Sequence, residues 1–554
     1  MQKPERRKKY KDSEPEKTVE YIKGLLTEFG IETKESYHHI DTADINSCRI
    51  WIANPGLEKL DLGTNGKGMN LAYTKASAYG EFMERLENNF LLPGDDTNID
   101  GIFFMDKEEA APYVKAYCRD AFGDGETLSD FYLKDFAGSR VCLQKFTDAF
   151  SGAEVLLPLS LIEMLTGSNG LCAGNGREEA ILQGISEIFE RQANYELVFN
   201  NTVPPEIDRS YFEGTDIYER LNELDTAGYR CRVLDLSLGK GFPVIGLLLY
   251  HGGKCRVRLG SDPSPITALE RCFTEIFQGC NRIDDSLFAD IDEQKADRET
   301  FEGSDRDYWF TQYNMGINNG NGYFPPSLVL EEGTPDYEFK GFEHPVSTSN
   351  EDDLAYYMDI IRRNGKKLYV ADRSSLGFPA YYTFIPSYSE TMLKDDGGRY
   401  FRGKLSCALK RSGLKRVHSM NQEELLNLAD AMEEWFTVYA AAQSSINYFF
   451  EYCELERFHK YKLLAYLYAC VGDREKAEEY LEAYTKTSAW QRDRQLLVRK
   501  KVEEGSLEQC FPKDAWPVCP DCETCGIKNK CHLEDIRKLN EHIRSVAAGK
   551  MQNA

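Results

Sequence analysis

Glutamates recur at helical spacing in three separate segments of this sequence, and these segments are the clearest candidates for chemistry. Each segment places a glutamate, two large apolar residues and then a Glu or Gln: YGEFMER (79–85), ISEIFER (185–191) and FTEIFQG (273–279). Residues four apart lie on one face of a helix, so each segment predicts a polar face beside an apolar one. Carboxylates that share a face repel one another unless cations neutralise them. Oxygen-only ligands suit a hard divalent ion, so the pattern favours magnesium carrying substrate phosphates over zinc.

The polar faces predict a set of candidate ligands in each helix. They are Ser77, Glu81 and Glu84 in the first, Glu179, Gln183, Glu187, Glu190 and Arg191 in the second, and Arg271 and Glu275 in the third. Arginines held on helices can bind phosphate oxygens in a bidentate manner. Three ordinary amphipathic helices with solvated ion pairs, each worth less than about 1 kcal/mol, are the alternative.

The middle helix is expected to begin after Asn175 and Gly176, with Asn175 as its cap and Glu178 completing a capping box. A phosphate could approach this glycine-lined helix start. The loop TNGKG (64–68) is not a phosphate-binding P-loop, because Asp61 and Gly68 occupy the positions where that motif needs Gly and Ser or Thr.

The elements that must position these residues alternate between strand and helix patterns. Strands are predicted at CRIWIAN (48–54), EVLLPLSLI (154–162), CRVLDLS (231–237), PVIGLLLY (243–250) and KKLYVADRS (366–374), and helices at 73–90 and 268–279. The polar, turn-rich stretch NMGINNGNGYFPP (314–326) predicts a mobile loop. We therefore expect a mixed α/β (α+β) catalytic body over residues 1–415.

Composition limits the kind of protein and partner. The chain has 554 residues, is 42% hydrophobic and carries a net charge of −24. This acidity disfavours non-specific binding to nucleic acid or to anionic membranes, but it suits a basic protein partner. The longest apolar run, Phe242–Tyr250, is about half of a membrane span. We expect a cytoplasmic protein without a signal peptide.

The C-terminal third has a different character. Residues 416–508 are predicted to be all-helical, with a tetratricopeptide-like hairpin over 458–484 and Gly472-Asp473 at its turn. This hairpin could form a protein-binding groove or be an ordinary helical pair. Residues 509–554 form a Cys-rich tail in which clustered two-residue gaps suggest an iron–sulfur cluster, zinc or free thiols. The candidate ligands are Cys519, Cys522, Cys525 and Cys531.

The three carboxylate segments resemble the ATP-site motifs of the YcaO family, in the family's order along the chain. SNGLCAGNGREEAILQGISEIFER (168–191) is similar to the central signature, and TNGKG with SAYGEFMER and LERCFTEIFQG are similar to the segments on either side. The resemblance implies an α/β body unrelated to kinases, commonly dimeric. It implies ATP contacts at Lys11, Thr18, Ser77, Asn175, Glu179, Gln183, Arg191 and Arg271, and magnesium ligands at Glu81, Glu84, Glu187, Glu190 and Glu275.

The resemblance also implies a reaction, which is the ATP-dependent activation of a peptide amide by phosphorylation of its oxygen. This chain ends in VAAGKMQNA and lacks the proline-rich tail of heterocycle-forming members. Its length and helical C-terminus are most similar to a stand-alone member that assists a radical methylthiotransferase acting on the twelfth small-subunit ribosomal protein. The alternatives are a nucleotide-responsive scaffold without catalysis, and a thioamide- or azoline-forming enzyme acting on a precursor peptide. Neither a catalytic base nor a nucleophile is evident in the sequence.

Overall fold

The chain divides into two compact units. A computed structural model describes residues 1–9, 11–40, 45–92, 101–123, 126–136, 140–276, 288–301, 304–319, 322–330, 333–390, 413–438, 459–487, 492–518 and 522–551. Unit 1 comprises Met1–Asp395 together with Arg537–Ala554, and unit 2 comprises Asp396–Ile536. The predicted boundaries at 415 and 508 stay predictions. No helix in the described ranges carries an apolar stretch long enough to cross a bilayer.

Unit 1 contains strands that form mostly antiparallel sheets. In chain order they are β1 (Glu5–Arg6), β2 (Thr33–Ile40), β3 (Ile45–Ile52), β4 (Gly63–Gly68), β5 (Ile102–Asp106), β6 (Arg140–Asp148), β7 (Glu154–Pro158), β8 (Leu171–Ala173), β9 (Arg230–Asp235), β10 (Val244–His251), β11 (Lys254–Ser261), β12 (Ala289–Asp290), β13 (Val346–Ser347), β14 (Tyr369–Asp372) and β15 (Ala380–Phe384). The sheets have the orders β2-β3-β4, β12-β11-β10-β9 and β5-β6-β14-β15-β8, with β7 paired to β6. The short strand β1 pairs with β13 in parallel.

Helices pack on these sheets, so the mixed α/β class is confirmed. They are α1 (Pro15–Glu28), α2 (Leu71–Glu87), α3 (Lys107–Phe122), α4 (Thr127–Phe131), α5 (Leu159–Thr166), α6 (Arg177–Phe199), α7 (Asp216–Thr226), α8 (Pro265–Ile276), α9 (Ile291–Thr300), α10 (Asp305–Asn319), α11 (Pro326–Val329) and α12 (Asn350–Arg363). The carboxylate segments lie on α2, α6 and α8. The third segment continues past Ile276 into residues outside the described ranges.

Helix α6 is central to the core because one of its faces is wholly apolar. Ile181, Ile185, Ile188 and Phe189 are buried in a cluster that also contains residues of β10, β11, β14, β15 and α12. Burying a side chain of this size contributes about 1.5–3 kcal/mol. The apolar face therefore anchors the helix, and its opposite face is left to line a cavity.

Two sequence expectations about local structure are wrong. The segment 154–162 is a strand only as far as Pro158, and helix α5 begins at Leu159. Part of the predicted loop 314–326 belongs to helix α10, which continues to Asn319. The aromatic side chains of Phe310 and Tyr313 are buried, and both contact Phe199 of α6. This packing holds α10 against α6 and overrides the loop preference of the polar sequence.

Unit 2 is helical in its described residues. Its helices are Gln422–Val438, Lys460–Val471, Arg474–Thr487, Arg492–Glu504 and Leu507–Cys510. The predicted hairpin is present, and Gly472 ends its first helix in a left-handed conformation with φ of 92°. The tetratricopeptide-like character stays a prediction. The last helix of the chain, Leu533–Met551, starts in unit 2 and continues into unit 1 from Arg537.

The structure does not support the predicted iron–sulfur or zinc site. Cys519 lies outside the described residues, Cys522 is exposed, and Cys525 and Cys531 are half-buried. Over the described ranges, no three His, Cys, Asp or Glu side chains lie as close together as the ligands of a bound metal ion, and this holds for the glutamates of α2, α6 and α8 as well. The Cys525 sulfur instead accepts a hydrogen bond from the Val518 backbone N–H at 3.4 Å.

Candidate functional site

A cavity of about 910 Å³ in unit 1 brings the three carboxylate helices together. This volume is near the upper end of what small-molecule sites offer. The structure places on its walls all the residues predicted to contact ATP or magnesium: Lys11, Thr18, Ser77, Glu81, Glu84, Asn175, Glu179, Gln183, Glu187, Glu190, Arg191, Arg271 and Glu275. Their individual roles stay predictions.

Three of the cavity carboxylates on α2 and α6, those of Glu81, Glu84 and Glu190, have a raised pKa, mainly because they are buried. Burial, and the neighbouring carboxylates, raise the pKa of Glu81 and raise that of Glu84 well above its usual value. Burial and the nearby Glu275 raise the pKa of Glu190 to about 8. Such a cluster attracts a cation, because each carboxylate is ionised more easily when positive charge is close.

Arginines on the same two helices partly neutralise this cluster. The Arg191 side chain donates from Nε and Nη2 to Glu187 Oε1, at 2.9 and 2.6 Å. Arg85 lies 3.5 Å from both Glu81 and Glu84. These pairs follow from the spacing along each helix, in which the arginine stands one turn or one position after the glutamate. The arginines therefore hold the carboxylates in place and could also contact phosphate oxygens.

Lys67 supplies a cation that the sequence analysis missed. It lies in the TNGKG stretch on β4, and its ammonium group forms an ion pair with Glu275 of α8. Against the effect of burial, this ammonium group lowers the pKa of Glu275. Neither the comparison of TNGKG with a P-loop nor its resemblance to a YcaO segment assigned a role to this lysine. Its position in the sequence, directly before a carboxylate helix, was the feature that could have indicated a role for Lys67.

The two glycines beside Lys67 let β4 lie directly on α2. A Cβ on Gly66 would be 2.2 Å from the Thr74 carbonyl oxygen, and one on Gly68 would be 2.8 Å from the Thr74 nitrogen. No side chain fits at such distances. The close contact fixes the backbone on both sides of Lys67 and aims its side chain into the cavity.

The start of α6 is arranged differently from the predicted capping box. Gly176 is the N-cap residue, and no side chain caps it. Glu179, not Glu178, takes the hydrogen bonds: its carboxylate accepts from the backbone and side-chain nitrogens of Asn175, at 3.2 and 3.0 Å, and from the Asp12 N–H at 2.7 Å. The Asn175 oxygen accepts from the Thr18 hydroxyl at 2.7 Å. Glu179 and Asn175 therefore connect the N-terminal segment to the start of α6.

The N-terminal segment is fixed beside the cavity by a separate set of contacts. Lys8 forms an ion pair with Asp353, which is fully buried. Arg6 donates to Thr267 Oγ1 and Glu270 Oε2 on α8, at 2.8 and 3.1 Å. Lys11 lies 3.8 Å from Glu179. The segment thus brings basic side chains to the cavity wall from a distant part of the sequence.

Strand β11 contributes two more basic residues that were not predicted. Arg256 and Arg258 alternate with the buried residues Cys255, Val257 and Leu259, and both arginines line the cavity. Period-two alternation in CRVRL was the available signal. On the adjacent helix, Arg271 donates to Gln183 Oε1 at 2.7 Å and lies 3.1 Å from Asp262.

The side chains of this cavity have the chemistry that a magnesium-bound nucleotide needs, although the described carboxylates are not spaced as metal ligands. The site offers several carboxylate oxygens, which hard divalent ions prefer, beside arginine and lysine side chains suited to phosphates. In the described part of the chain, the buried carboxamide oxygen of Asn194 also lines the cavity and has no hydrogen-bond partner. Positive charge from a bound cation would lower the raised pKa values of Glu81, Glu84 and Glu190.

Several known proteins are similar to this chain. The ribosomal protein S12 methylthiotransferase accessory factor YcaO of Escherichia coli (strain K12) is 27% identical over 449 residues, which is 76% of this chain and 73% of that protein. An uncharacterised protein of Haemophilus influenzae is 28% identical over 354 residues, 60% of this chain and 58% of that protein. Among solved structures, YcaO from Methanopyrus kandleri bound with AMPPCP and Mg2+ has a TM-score of 0.42 and 17% identity, covering 69% of this chain and 93% of that one. A heterocyclase in complex with substrate and cofactor has a TM-score of 0.48 and 18% identity, covering 71% of this chain and 54% of that one.

A family pattern identifies the body that carries the cavity. The pattern described as YcaO cyclodehydratase, ATP- and Mg2+-binding, matches residues 65–389. This stretch is more than half of the chain and contains all three carboxylate helices. The chain therefore belongs to the YcaO family of ATP- and Mg2+-binding proteins.

Proposed function

We propose that this protein uses ATP and magnesium to activate a backbone amide of a peptide or protein by phosphorylation. The observation that carries the proposal is the convergence of α2, α6 and α8 on one cavity lined by both carboxylates and basic side chains. Such a site neutralises polyphosphate charge and holds reactants in place. Membership of the YcaO family supports the nucleotide and the ion.

The cavity residues divide into two sets by their chemistry. The magnesium ligands in this proposal are Glu81, Glu84, Glu187, Glu190 and Glu275. The nucleotide contacts are Lys11, Thr18, Ser77, Asn175, Glu179, Gln183, Arg191 and Arg271. Bound magnesium would supply charge neutralisation at the phosphate oxygens. The residues of the chain hold the phosphates in one orientation relative to the substrate.

In the proposed reaction, a nucleophile adds to the amide carbonyl carbon. The carbonyl oxygen then takes the terminal phosphoryl group of ATP, which becomes ADP. The C–O bond breaks, and the oxygen leaves as inorganic phosphate. Phosphorylation turns a poor leaving oxygen into a good one, so the protein's contribution is mainly positioning and electrostatic stabilisation.

We also propose a cellular role as an accessory factor in β-methylthiolation of the twelfth small-subunit ribosomal protein. The supporting fact is the similarity to the Escherichia coli accessory factor, which extends over 76% of this chain. A basic ribosomal substrate would suit a chain with a net charge of −24. A radical methylthiotransferase is the partner in this proposal, and a cytoplasmic homodimer is the proposed form.

ATP hydrolysis by matched variants tests the site. We expect Glu187→Gln to lower magnesium-dependent phosphate release by about 100-fold or more, the scale at which a preorganised charged group acts. Glu178→Gln is the control, because Glu178 is on the same helix but pairs with Arg177 away from the cavity. Equal activity of the two variants would contradict the proposed magnesium site.

Isotope transfer tests the reaction. With the ribosomal protein carrying ¹⁸O at its backbone amides, the proposal predicts ¹⁸O in the phosphate released. Phosphate without label, with turnover intact, would rule out amide activation.

If the inactive Glu187→Gln variant still supported methylthiolation in cells, the chain would act as a nucleotide-responsive scaffold. A product that has lost water, or has gained sulfur in place of oxygen, would instead indicate azoline or thioamide formation.

A further inference from the structure

The last helix of the chain places a buried arginine at the end of the first carboxylate helix. Arg544 is only 8% exposed, although it lies more than 450 residues from α2 in sequence. Its Nη2 donates to the backbone oxygens of Leu86 and Glu87, at 2.9 and 3.2 Å, and to Asn89 Oδ1 at 2.8 Å. These contacts lie within unit 1.

Two of the acceptors of Arg544 are carbonyls of the last turn of α2, and the Leu86 carbonyl also accepts from the Asn89 N–H at 3.3 Å. The last carbonyls of a helix have no N–H partner within the helix, and they carry its partial negative charge. After the end of α2 at Glu87, the chain turns through Asn89, which has a φ of 54°. A second side chain of the last helix supports the same turn, because Asn540 donates to Asn89 Oδ1 at 3.3 Å and to Leu92 O at 2.5 Å. The last helix of the chain therefore caps the C-terminal end of α2 through a contact that is distant in sequence.

Arg544 also holds a second segment that borders the cavity. Its Nη1 donates to Ser375 Oγ at 2.6 Å. Ser375 in turn donates to the buried Glu87 carboxylate at 3.0 Å, which also accepts from the Leu376 N–H at 2.9 Å. Two residues later, Phe378 lines the cavity. One guanidinium group thus connects the end of α2 to the segment 375–378.

We propose that Arg544 is a positioning residue for the magnesium carboxylates on α2. Glu81 and Glu84 stand on the last two turns of α2, directly before the carbonyls that Arg544 binds. Fixing those carbonyls fixes the spacing between the two α2 carboxylates and those of α6. This inference rests on the proposed magnesium site and adds to it a requirement for the last helix of the chain.

Arg544→Met is the variant that tests the proposal, in the full-length chain. We expect the magnesium concentration for half-maximal ATP hydrolysis to rise about three- to tenfold, the range of coupling expected when a support one step away from the ligands is lost. Nucleotide binding measured without magnesium should be unchanged, because the affected carboxylates act through the ion. Arg537→Met is the matched control, since Arg537 is exposed on the same helix.

A rescue experiment separates positioning from simple loss of folding. In Arg544→Ala, added guanidinium should restore part of the magnesium response, and Arg544→Lys should lie between wild type and Arg544→Met. Hydrogen exchange should quicken at the amides of residues 89–92 in Arg544→Met, with or without ATP. If Arg544→Met matches Arg537→Met in magnesium response and in exchange, the proposal is wrong.

The proposed function and this inference fail in different ways. If wild-type protein shows no magnesium-dependent nucleotide binding, the proposed function is wrong, while faster exchange at 89–92 in Arg544→Met would still show the capping contact. If wild-type protein binds magnesium and nucleotide but Arg544→Met shows the same magnesium response, the positioning role alone is wrong.

Discussion

At the scale of single residues, Lys67 interacts electrostatically with several glutamates of the cavity. The Lys67 ammonium group pairs with Glu275 and also interacts with the charges of Glu190 and Glu81. Glu275 keeps a lowered pKa because Lys67 is near it, whereas Glu190 has a pKa raised to about 8 by burial and by Glu275. The same cavity therefore holds one carboxylate that is ionised at neutral pH and another that retains a proton.

Replacing Lys67 by methionine should make the protein more dependent on magnesium for stability. Breaking a buried ion pair costs about 3–5 kcal/mol, and we expect about 1–2 kcal/mol here because the pair is about a quarter exposed. Added magnesium should recover part of this loss, since it supplies the missing charge. Urea unfolding with and without magnesium measures both effects. Lys115→Met, which breaks a surface pair with Glu126, is the control. An equal effect of magnesium on both variants would contradict the role of Lys67.

Magnesium affinity should rise with pH up to about 8. An acid with a raised pKa holds its proton below that pKa, so the ion must displace the proton from Glu190 at neutral pH. The affinity should then change by up to about tenfold per pH unit below 8 and level off above it. Calorimetry in two buffers of different ionisation enthalpy would detect the released proton. A pH-independent affinity without proton release would show that Glu190 is not a ligand.

At the scale of elements, two of the three carboxylate helices, α2 and α8, pack in the same way on the strand that precedes them. Gly66 on β4 contacts the backbone of α2, and Gly260 on β11 contacts that of α8, where an added Cβ would lie 2.3 Å from the Ala268 carbonyl oxygen. Each glycine lets a helix lie directly on its strand. The strand–helix pair then directs a basic residue of the strand, Lys67 or Arg258, and a glutamate of the helix into one cavity.

Gly66→Ala should therefore destabilise unit 1. The new methyl group meets backbone atoms of Thr74 and Ala78 at 2.2 and 2.4 Å, which cannot move without displacing α2. We expect a loss of about 2 kcal/mol or more in the free energy of unfolding. Gly24→Ala is the control, because a Cβ there has open space in helix α1 and should stabilise by up to about 1 kcal/mol. Similar stability of both variants would mean that α2 and β4 are less closely packed.

At the scale of the whole molecule, unit 2 is inserted in the sequence before the helix that completes unit 1. Unit 2 has its own core, built from residues such as Leu463, Leu467 and Trp516. The final helix then returns to unit 1 through the buried residues Ile543 and Arg544. Unit 1 is therefore built from two stretches of sequence, and the second of them follows unit 2.

ATP with magnesium should stabilise the two units differently in the full-length chain. A ligand that binds only the folded site adds about 2.7 kcal/mol at a concentration 100 times its Kd. Hydrogen exchange should therefore slow in α2, α6 and α8 and in residues 537–549, but not in the hairpin helices Lys460–Val471 and Arg474–Thr487. If hydrogen exchange in residues 537–549 does not slow on adding ATP and magnesium, as in the hairpin helices of unit 2, the assignment of the final helix to unit 1 is wrong.

The sequence by itself determined the features that depend on neighbours along the chain. Polar residues three and four apart predicted the polar faces of α2 and α6, Gly472 predicted the hairpin turn, and the three motifs predicted the family, which is confirmed. These features follow from local geometry, because the period of a helix is the same wherever it packs. Metal binding by the cysteines, also predicted from spacing, has no support in the described residues.

Only the tertiary structure decided which distant side chains meet. Lys67 pairs with Glu275, the Asp12 N–H donates to Glu179 in the first turn of α6, and Arg544 binds the last carbonyls of α2. None of these pairs has a period or spacing that a sequence could show, because each depends on how separate elements pack. The helical state of residues 159–162, which were predicted as strand, has the same origin, since a short apolar run suits either state until its neighbours are fixed. Periodicity therefore located the helices of the site, and packing completed the site between them.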